Sequence, residues 1–194
     1  RISFTGELSF EINVPAHYAR HVWEVLIDAG ESFDITPYGT EAMHVLRAEK
    51  GFMIVGQDTD GSMTPHDMGM GWVVNKSKEF SFIGKRSLDR RYMLRKNRKQ
   101  FVGLKTIESS KMLPEGGQLV FDSNDKIPMS MQGHVTSSYY SPILGYPIAL
   151  GVVKGGFGRM GQIVYCPLAD GNSIPAEIVS AVFYDSDGAR QNVE

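Results

Sequence analysis

The sequence lacks several features on which whole classes of proteins depend. Its 194 residues include a single cysteine, Cys166, so no disulfide can form within the chain, which is compatible with a reducing compartment. No apolar run approaches the ~20 residues that a transmembrane helix needs. The net charge is only −2, which argues against nucleic-acid binding through bulk electrostatics. With 42% hydrophobic residues, the composition favours a globular protein with an apolar core. We expect the protein to be cytoplasmic.

Self-contained catalytic and metal-binding motifs are also missing. The five histidines lack a third ligand at metal-binding spacing. Residues 156–161 match the pattern G-x-G-x-x-G, but a strand-like run follows where a dinucleotide site needs a helix, so they predict a hairpin loop. Asp58 and Asp60 resemble the start of a calcium loop without its other ligands, and we interpret them as turn formers. We therefore predict no catalytic residue and no metal site.

The first 51 residues combine one strand pattern with two helix patterns. Residues 1–14 alternate between apolar and polar side chains, which predicts a half-buried strand or hairpin arm. Residues 15–29 change to a helical period. A second helix is predicted from an N-cap at Thr36 to a stop at Gly51. This order predicts part of an α+β domain.

Residues 44–72 and 85–99 each leave two interpretations open. The first segment is rich in glycine and either forms a long surface connection or carries a binding site on an irregular path. The second holds eight of the twenty lysines and arginines. It predicts either a short solvated helix over residues 87–94 that leads into a linker, or a surface for an anion or an acidic subunit.

The C-terminal half is predicted to be a small β-structure. Short β-rich runs alternate there with turn sequences, which is typical of a small barrel or sandwich. We place the domain boundary between residues 95 and 96, so the two domains are residues 1–95 and 96–194. Because the chain begins with Arg1 and enters a strand pattern at once, we expect a longer polypeptide whose upstream part supplies the sheet partners. The β-rich runs are residues 100–106, 118–121, 132–137, 148–154, 162–166 and 173–184.

Two carboxylates stand out near the N-terminus. Glu7 and Glu11 lie four residues apart on the polar side of the first predicted strand, so both point the same way. They are ordinary surface carboxylates if that face is solvated. If it lines a cleft, one of them could hold an amidine-like edge, because a carboxylate accepts two parallel N–H bonds. A pterin presents such an edge.

An ordered set of motifs resembles the folate-binding family of the glycine-cleavage T-protein. That family also includes the C-terminal halves of dimethylglycine and sarcosine dehydrogenases, and the similarity is greatest to its branch of alpha subunits of heterotetrameric sarcosine oxidases. The resemblance implies an α+β fold in which a partial T-protein-like folate-binding domain precedes a small C-terminal β-barrel. The motifs are TGELSFEI at residues 5–12, LRAEKG at 46–51, GQD at 56–58, TP at 64–65, GW at 71–72 and FIGK at 82–85.

The resemblance also implies which residues hold the cofactor. Glu11 is the expected pterin-binding carboxylate, and Phe4, Glu7 and Trp72 are the other expected cofactor-binding residues. Phe4 stands where relatives often have a pocket tyrosine. Met43 stands where T-proteins carry an arginine that helps to hold the folate. The catalytic aspartate of the family would lie upstream, so none is expected in this chain.

The activity implied by the resemblance belongs to a larger enzyme. It would oxidise sarcosine and release glycine, with dioxygen reduced to hydrogen peroxide, while tetrahydrofolate captures the one-carbon unit as 5,10-methylenetetrahydrofolate. FAD, FMN and NAD would bind elsewhere in the complex, beta, gamma and delta subunits would be the partners, and this chain alone would be inactive. The alternatives are an aminomethyltransferase of the T-protein type and a non-catalytic module that docks other subunits.

Overall fold

Three α-helices precede the sheet in the computed structural model, which describes residues 2–124 and 126–192. Helix α1 spans Ala19–Gly30 and follows a 3-10 turn at Ala16–Tyr18. The helix predicted for residues 15–29 is therefore confirmed. None of its twelve residues, all of which the structure describes, is buried. Its apolar stripe is therefore left uncovered by the described part of the chain.

Helix α2 begins later than its sequence pattern predicts. It spans Thr40–Glu49 and has Gly39 as its N-cap, so the predicted N-cap at Thr36 is wrong. The Thr36 hydroxyl donates to the carbonyl oxygen of Asp34 at 3.2 Å. That bond belongs to the turn before the helix, and it leaves Thr36 outside the first helical turn.

The predicted stop at Gly51 is confirmed, with a Schellman arrangement at the end of α2. The amide of Gly51 donates to the carbonyl of Ala48 at 3.0 Å, and the amide of Phe52 donates to that of Arg47 at 2.9 Å. Gly51 has φ +71°, a left-handed conformation that glycine adopts without steric cost. A Cβ on Gly51 would also lie 2.5 Å from the carbonyl oxygen of Ala181. Backbone conformation and close packing both require glycine here.

The substitution Gly51→Ala is therefore expected to destabilise the fold by about 2–3 kcal/mol, from left-handed strain and overpacking together. Gly56→Ala is the matched control, because Gly56 also has positive φ, +94°, but nothing within 4 Å of its added Cβ. The control should lose only about 1 kcal/mol. Urea unfolding measures both values, and equal losses would show that the contact with Ala181 costs nothing.

The strand predicted for residues 1–14 is wrong: residues 2–14 form no β-strand, and Arg1 lies outside the described residues. A strand needs a partner with which to exchange a ladder of hydrogen bonds. In the described part of the chain, the one backbone hydrogen bond from this segment to a distant segment runs from the Leu8 amide to the Arg190 carbonyl, at 3.1 Å. Residues 2–14 therefore form an irregular segment outside the sheet.

Six antiparallel strands confirm the predicted β-barrel. Their order in the sheet is β2-β3-β4-β1-β6-β5. A single β-bridge between Val120, just after β2, and Tyr165 of β5 connects the two edges and closes the barrel. In the bridge, the amides of Val120 and Tyr165 each donate to the other residue's carbonyl at 2.9 Å. The strands are β1 Lys99–Thr106, β2 Gln118–Leu119, β3 Gly133–Ser141, β4 Tyr146–Lys154, β5 Ile163–Pro167 and β6 Ser173–Val179.

The barrel has an apolar layer on each face of its strands. The inner layer includes Val102, Leu104, Val135, Val153 and Ile178. The outer layer packs Phe101, Ile148, Leu150 and Val152 against Ala48 of α2 and Met68. Alternation along the strands separates the two layers, and the outer layer attaches the N-terminal half to the barrel.

The last predicted strand ends earlier than its sequence pattern suggests. The β-rich run over residues 173–184 leaves the sheet after Val179. Beyond that point, the amides of Phe183 and Tyr184 both donate to the carbonyl of Glu49, at 2.9 and 3.0 Å. These donors satisfy the end of α2 instead of a neighbouring strand.

Residues 156–161 connect strands that are not neighbours, so the predicted hairpin is wrong. Strand β4 pairs with β3 and β1, whereas β5 pairs with β6. A short 3-10 turn at Gly156–Arg159 makes the crossing from β4 to β5. Strand β5 follows this turn directly, so the dinucleotide-binding arrangement, which needs a helix there, is not formed.

The basic segment is less helical than the sequence predicts. Helix α3 spans only Lys85–Leu88, in place of the helix predicted for residues 87–94. Arg98 is 8% exposed and is therefore no part of a solvated face. The domain boundary between residues 95 and 96 stays a prediction. Within the described residues, no helix combines the length and the apolar character that crossing a membrane requires.

Candidate functional site

A cavity of about 250 Å³ lies where the N-terminal segment, helix α2 and the chain beyond the barrel meet. Its walls are largely apolar side chains, and charged groups lie among them. Three of its charged residues are acidic and two are basic. The lining residues are Thr5, Gly6, Glu7, Ala42, Val45, Leu46, Glu49, Lys50, Pro142, Ile143, Tyr184, Asp185 and Arg190.

Gly6 brings the N-terminal segment against helix α2. It is buried and has φ +87°, and its amide donates to the Ser3 hydroxyl at 3.0 Å. A Cβ on Gly6 would lie 2.9 Å from the Cγ and Cδ atoms of Lys50. The turn therefore crosses directly over the lysine stem and forms one wall of the cavity.

Two ion pairs fix the rim of the cavity. Arg190 Nε lies 2.6 Å from a carboxylate oxygen of Glu7, and Lys50 Nζ lies 2.8 Å from Asp185 Oδ2. Lys50 also donates to the Asp185 carbonyl. The bond from Lys50, followed by those from the amides of Arg190 and Ala189, lowers the pKa of Asp185 against the effect of desolvation. Both ion pairs join segments that are far apart in the sequence.

Glu49 is the remaining charged residue of the lining. It is 3% exposed, and its carboxylate accepts a hydrogen bond from the Ser141 hydroxyl at 2.5 Å. Burial raises the pKa of Glu49, the bond from Ser141 opposes that shift, and the negative charge of Glu7 adds to it. Glu49 is thus a buried carboxylate, and within the described residues no cationic side chain forms an ion pair with it.

Of the four cofactor-binding residues predicted from the sequence, one lines this cavity. Glu7 lines the cavity, whereas Glu11, Phe4 and Trp72 do not. Glu11 is exposed, and its carboxylate accepts a 3.3 Å hydrogen bond from Asn13. Phe4 is half-buried, and Trp72 is 80% exposed. Their assignment to a cofactor stays a prediction.

Sequence reasoning missed a buried polar network at the joint between α2 and the barrel. Arg47 and Asp58, each with a fully buried side chain, form an ion pair of 2.6 Å. Arg47 also donates to the Ser137 hydroxyl at 2.6 Å. The second oxygen of Asp58 accepts from Thr136 at 2.5 Å and from Ser137 at 2.9 Å. The interpretation of Asp58 as a turn former is therefore incomplete, because its carboxylate connects the irregular segment to β3.

Asp60 does form a turn as predicted. Its carboxylate accepts bonds from the Ser62 amide at 2.7 Å and from the Ser62 hydroxyl at 2.5 Å. These bonds lower the pKa of Asp60. Asp58 and Asp60 lie two residues apart, and the sequence does not show that Asp58 is buried whereas Asp60 is exposed.

A second buried pair secures the start of the barrel. Arg98 Nη2 lies 2.6 Å from Asp67 Oδ2, and its Nε donates to Asp67 Oδ1 at 2.9 Å. Arg98 also donates to the Ser62 carbonyl at 2.5 Å. Asp67 accepts two further bonds, from the Thr64 amide at 2.8 Å and the Thr64 hydroxyl at 2.7 Å. Arg98 lies in the basic segment 85–99, and the sequence gives no sign that it differs from its neighbours in being buried.

No metal centre is formed by the part of the chain that the structure describes, since no group of three or more His, Cys, Asp or Glu side chains could hold an ion there. Cys166 is buried inside the barrel, and burial raises the pKa of its thiol. A thiol with raised pKa carries less of the reactive thiolate at neutral pH.

Comparisons with known proteins match both halves of the chain. Residues 1–78 match the GCVT N-terminal domain, and residues 99–185 match the glycine cleavage T-protein C-terminal barrel domain. A crystal structure of the glycine cleavage system aminomethyltransferase T from Bartonella henselae superposes with a TM-score of 0.73 at 26% identity, covering 95% of this chain and 48% of that one.

The chain is similar in sequence to two kinds of protein, sarcosine oxidase alpha subunits and aminomethyltransferases. The chain is 47% identical to sarcosine oxidase subunit alpha of Corynebacterium sp. (strain U-96) over 99% of its own length, and 36% identical to that of Rhizobium meliloti over 100%. It is 32% identical to the aminomethyltransferase of Bacillus subtilis over 95%. The chain spans 20% of the length of those two sarcosine oxidase subunits and 48% of that aminomethyltransferase.

Proposed function

Because this chain belongs to the glycine-cleavage T-protein family, we propose that it is the folate-binding portion of a sarcosine oxidase alpha subunit. The observation that carries the proposal is the 47% identity to such a subunit over 99% of the chain, against 33% or less to aminomethyltransferases. An aminomethyltransferase remains the alternative activity. Met43 argues against it, because the T-protein pattern has a folate-holding arginine at this position.

The environment of Glu11 supports its role in holding tetrahydrofolate. An ionised carboxylate accepts hydrogen bonds at two oxygens. Glu11 is exposed, and within the described residues its carboxylate accepts one hydrogen bond, from Asn13. Its carboxylate therefore has acceptor capacity for the N–H edge of a pterin. Half-buried Phe4 offers a ring against which a planar group could pack. The acceptor oxygens of Glu11 and the ring of Phe4 fit a folate.

In the complete enzyme, we propose that sarcosine is oxidatively demethylated to glycine and that dioxygen accepts the two electrons and is reduced to hydrogen peroxide. Bound tetrahydrofolate would supply the amine that captures the one-carbon unit. The contribution of this chain is to bind and orient that group, which favours capture over escape into water. Flavin and NAD sites are proposed for other parts of the complex, and the chain alone is proposed to be inactive.

We further propose that the complex is cytoplasmic and contains beta, gamma and delta subunits. The segment around α3 supports a role in assembly, because it exposes large apolar side chains beside basic ones. Trp72, Phe80 and Ile83 are 80%, 69% and 104% exposed. Arg86, Arg90 and Arg91 are exposed beside them. An acidic, partly apolar surface of another subunit would complement this composition.

The substitution Glu11→Gln tests the folate proposal. In the complete enzyme, the dissociation constant for tetrahydrofolate is expected to rise roughly tenfold to a hundredfold, because a hydrogen bond to a charged group contributes about 1.5–3 kcal/mol. Fluorescence titration with the folate measures the change. Peroxide release from sarcosine should persist in the variant, because oxidation is assigned to another part of the complex.

Glu41→Gln is the control, since Glu41 is another exposed glutamate and lies outside the predicted folate contacts. Its folate affinity should equal that of the unmodified enzyme. An unchanged affinity in Glu11→Gln would remove Glu11 from the site. Transfer from an aminomethyl-lipoyl carrier protein, without sarcosine oxidation, would replace the proposed activity with that of an aminomethyltransferase.

A further inference from the structure

The cavity beside α2 carries an unbalanced negative charge. Glu7 is paired with Arg190, and Asp185 is paired with Lys50. Glu49 has no such partner within the described chain, and its carboxylate lies 2.5 Å from the Ser141 hydroxyl. Tyr184, whose hydroxyl accepts a bond from Arg190 at 3.1 Å, adds no charge. The lining as a whole therefore has one negative charge more than it has positive charges.

The burial of this carboxylate has an energetic cost that a ligand in the cavity could lower. Removing an ionised carboxylate from water is expensive unless a cation or several hydrogen-bond donors compensate it. Glu49 is 3% exposed and accepts one bond, from a neutral hydroxyl. Burial accordingly raises its pKa. A cation inside the cavity would lower the cost of the ionised form.

We propose that this cavity binds a small organic monocation of the alkylammonium class, with the Glu49 carboxylate as its counter-charge. The apolar wall selects the class, because Ala42, Val45, Leu46, Pro142 and Ile143 can contact alkyl groups and cannot coordinate a metal. Hard cations such as Ca²⁺ and Mg²⁺ require several oxygen ligands. An anion would meet the excess negative charge. The volume of about 250 Å³ accommodates a molecule of several non-hydrogen atoms.

The test follows the Ile143 methyl group by NMR as trimethylammonium chloride is added to the full chain at constant ionic strength. The chain carries ¹³C-labelled isoleucine δ1 methyl groups, and Ile143→Val assigns the resonance. We expect a saturable shift of the Ile143 signal with trimethylammonium at pH 7.5. The neutral molecule tert-butanol, of similar size, is expected to bind at least tenfold more weakly.

Glu49→Gln is expected to weaken trimethylammonium binding at least tenfold. Glutamine keeps the size of the side chain and an oxygen that can accept from Ser141. Glu108→Gln is the control, because Glu108 is exposed and pairs with Lys111 away from the cavity, and it should leave the affinity unchanged. Binding to the unmodified chain should also weaken on acidification through the raised pKa of Glu49, since protonation removes the counter-charge.

Three results would overturn the inference. They are the absence of a saturable shift, equal binding of tert-butanol, and equal affinity in Glu49→Gln. If Glu49→Gln fails to fold, Ala42→Leu decides the question, because it narrows the cavity and leaves the carboxylate in place. Retained affinity in Ala42→Leu would place the cation elsewhere. No folate enters this experiment, so its outcome is independent of the folate proposal.

Discussion

Replacing Asp58 with alanine is expected to lower the free energy of unfolding by about 3–5 kcal/mol, because it leaves a buried arginine without its counter-charge. Arg47 has a fully buried side chain and would keep only its bonds to the Phe52 carbonyl and the Ser137 hydroxyl. Thr136 and the Ile54 amide would also lose an acceptor. Urea unfolding, monitored by circular dichroism, measures the loss.

Asp60→Ala is the matched control for Asp58→Ala. The two aspartates stand two residues apart and have the same predicted role, but Asp60 is exposed and bonds only within its own turn. Its loss should change stability by about 0.5 kcal/mol. The double variant Arg47→Met with Asp58→Ala should recover part of the stability of Asp58→Ala, because no unpaired charge remains. Equal costs for Asp58 and Asp60 would mean that the buried pair contributes nothing beyond a turn.

The second large effect is expected for Arg98→Met, with a loss of about 3–5 kcal/mol from the uncompensated Asp67 carboxylate. Burial acts to raise the pKa of Asp67, but bonds from Arg98 and Thr64 outweigh it and hold the pKa below its usual value. Removing Arg98 takes away its hydrogen bonds and its positive charge, both of which lower the pKa of Asp67, so this pKa should rise in the variant. Urea unfolding between pH 3 and pH 8 measures both the loss and its pH dependence.

The pH dependence separates loss of charge pairing from loss of packing. The depressed pKa of Asp67 stabilises the unmodified fold above the unfolded value of about 3.9, and this contribution is lost as the pH falls through the lower folded value. In Arg98→Met, protonation of Asp67 relieves the unpaired charge. The difference between the two proteins should therefore shrink on acidification. Lys96→Met is the control, because Lys96 is exposed, and a pH-independent loss in Arg98→Met would indicate packing alone.

The sequence predicted the barrel well because its strands are specified locally. Strand β1, for example, runs over Lys99–Thr106, and the pattern predicted residues 100–106. Turn residues and alternation act over a few positions, and in the barrel each patterned run also finds a neighbouring strand with which to pair. The end of α2 was predictable for the same reason, since Gly51 meets a local requirement for positive φ.

Long-range features were not predictable, because the sequence pattern gives no sign of the partner. The alternation of residues 1–14 indicates an extended chain but cannot supply a neighbouring strand. Asp58 and Arg98 resemble solvated residues in the sequence, yet each is buried against a group 11 or 31 positions away. The hydroxyl that donates to the buried Glu49 carboxylate belongs to Ser141, which lies 92 positions away. A functional interpretation of the cavity therefore required the fold.

The contacts of Lys50 and Glu49 with the chain beyond the barrel have a consequence for biosynthesis. Lys50 and Asp185 are 135 residues apart in the chain, and ribosomes add roughly 5–20 residues per second. The end of helix α2 is therefore synthesised about 7 to 27 s before the residues that cover it. During that interval its apolar face has no barrel to pack on. A nascent chain paused before the barrel is complete should be the form most readily bound by a chaperone.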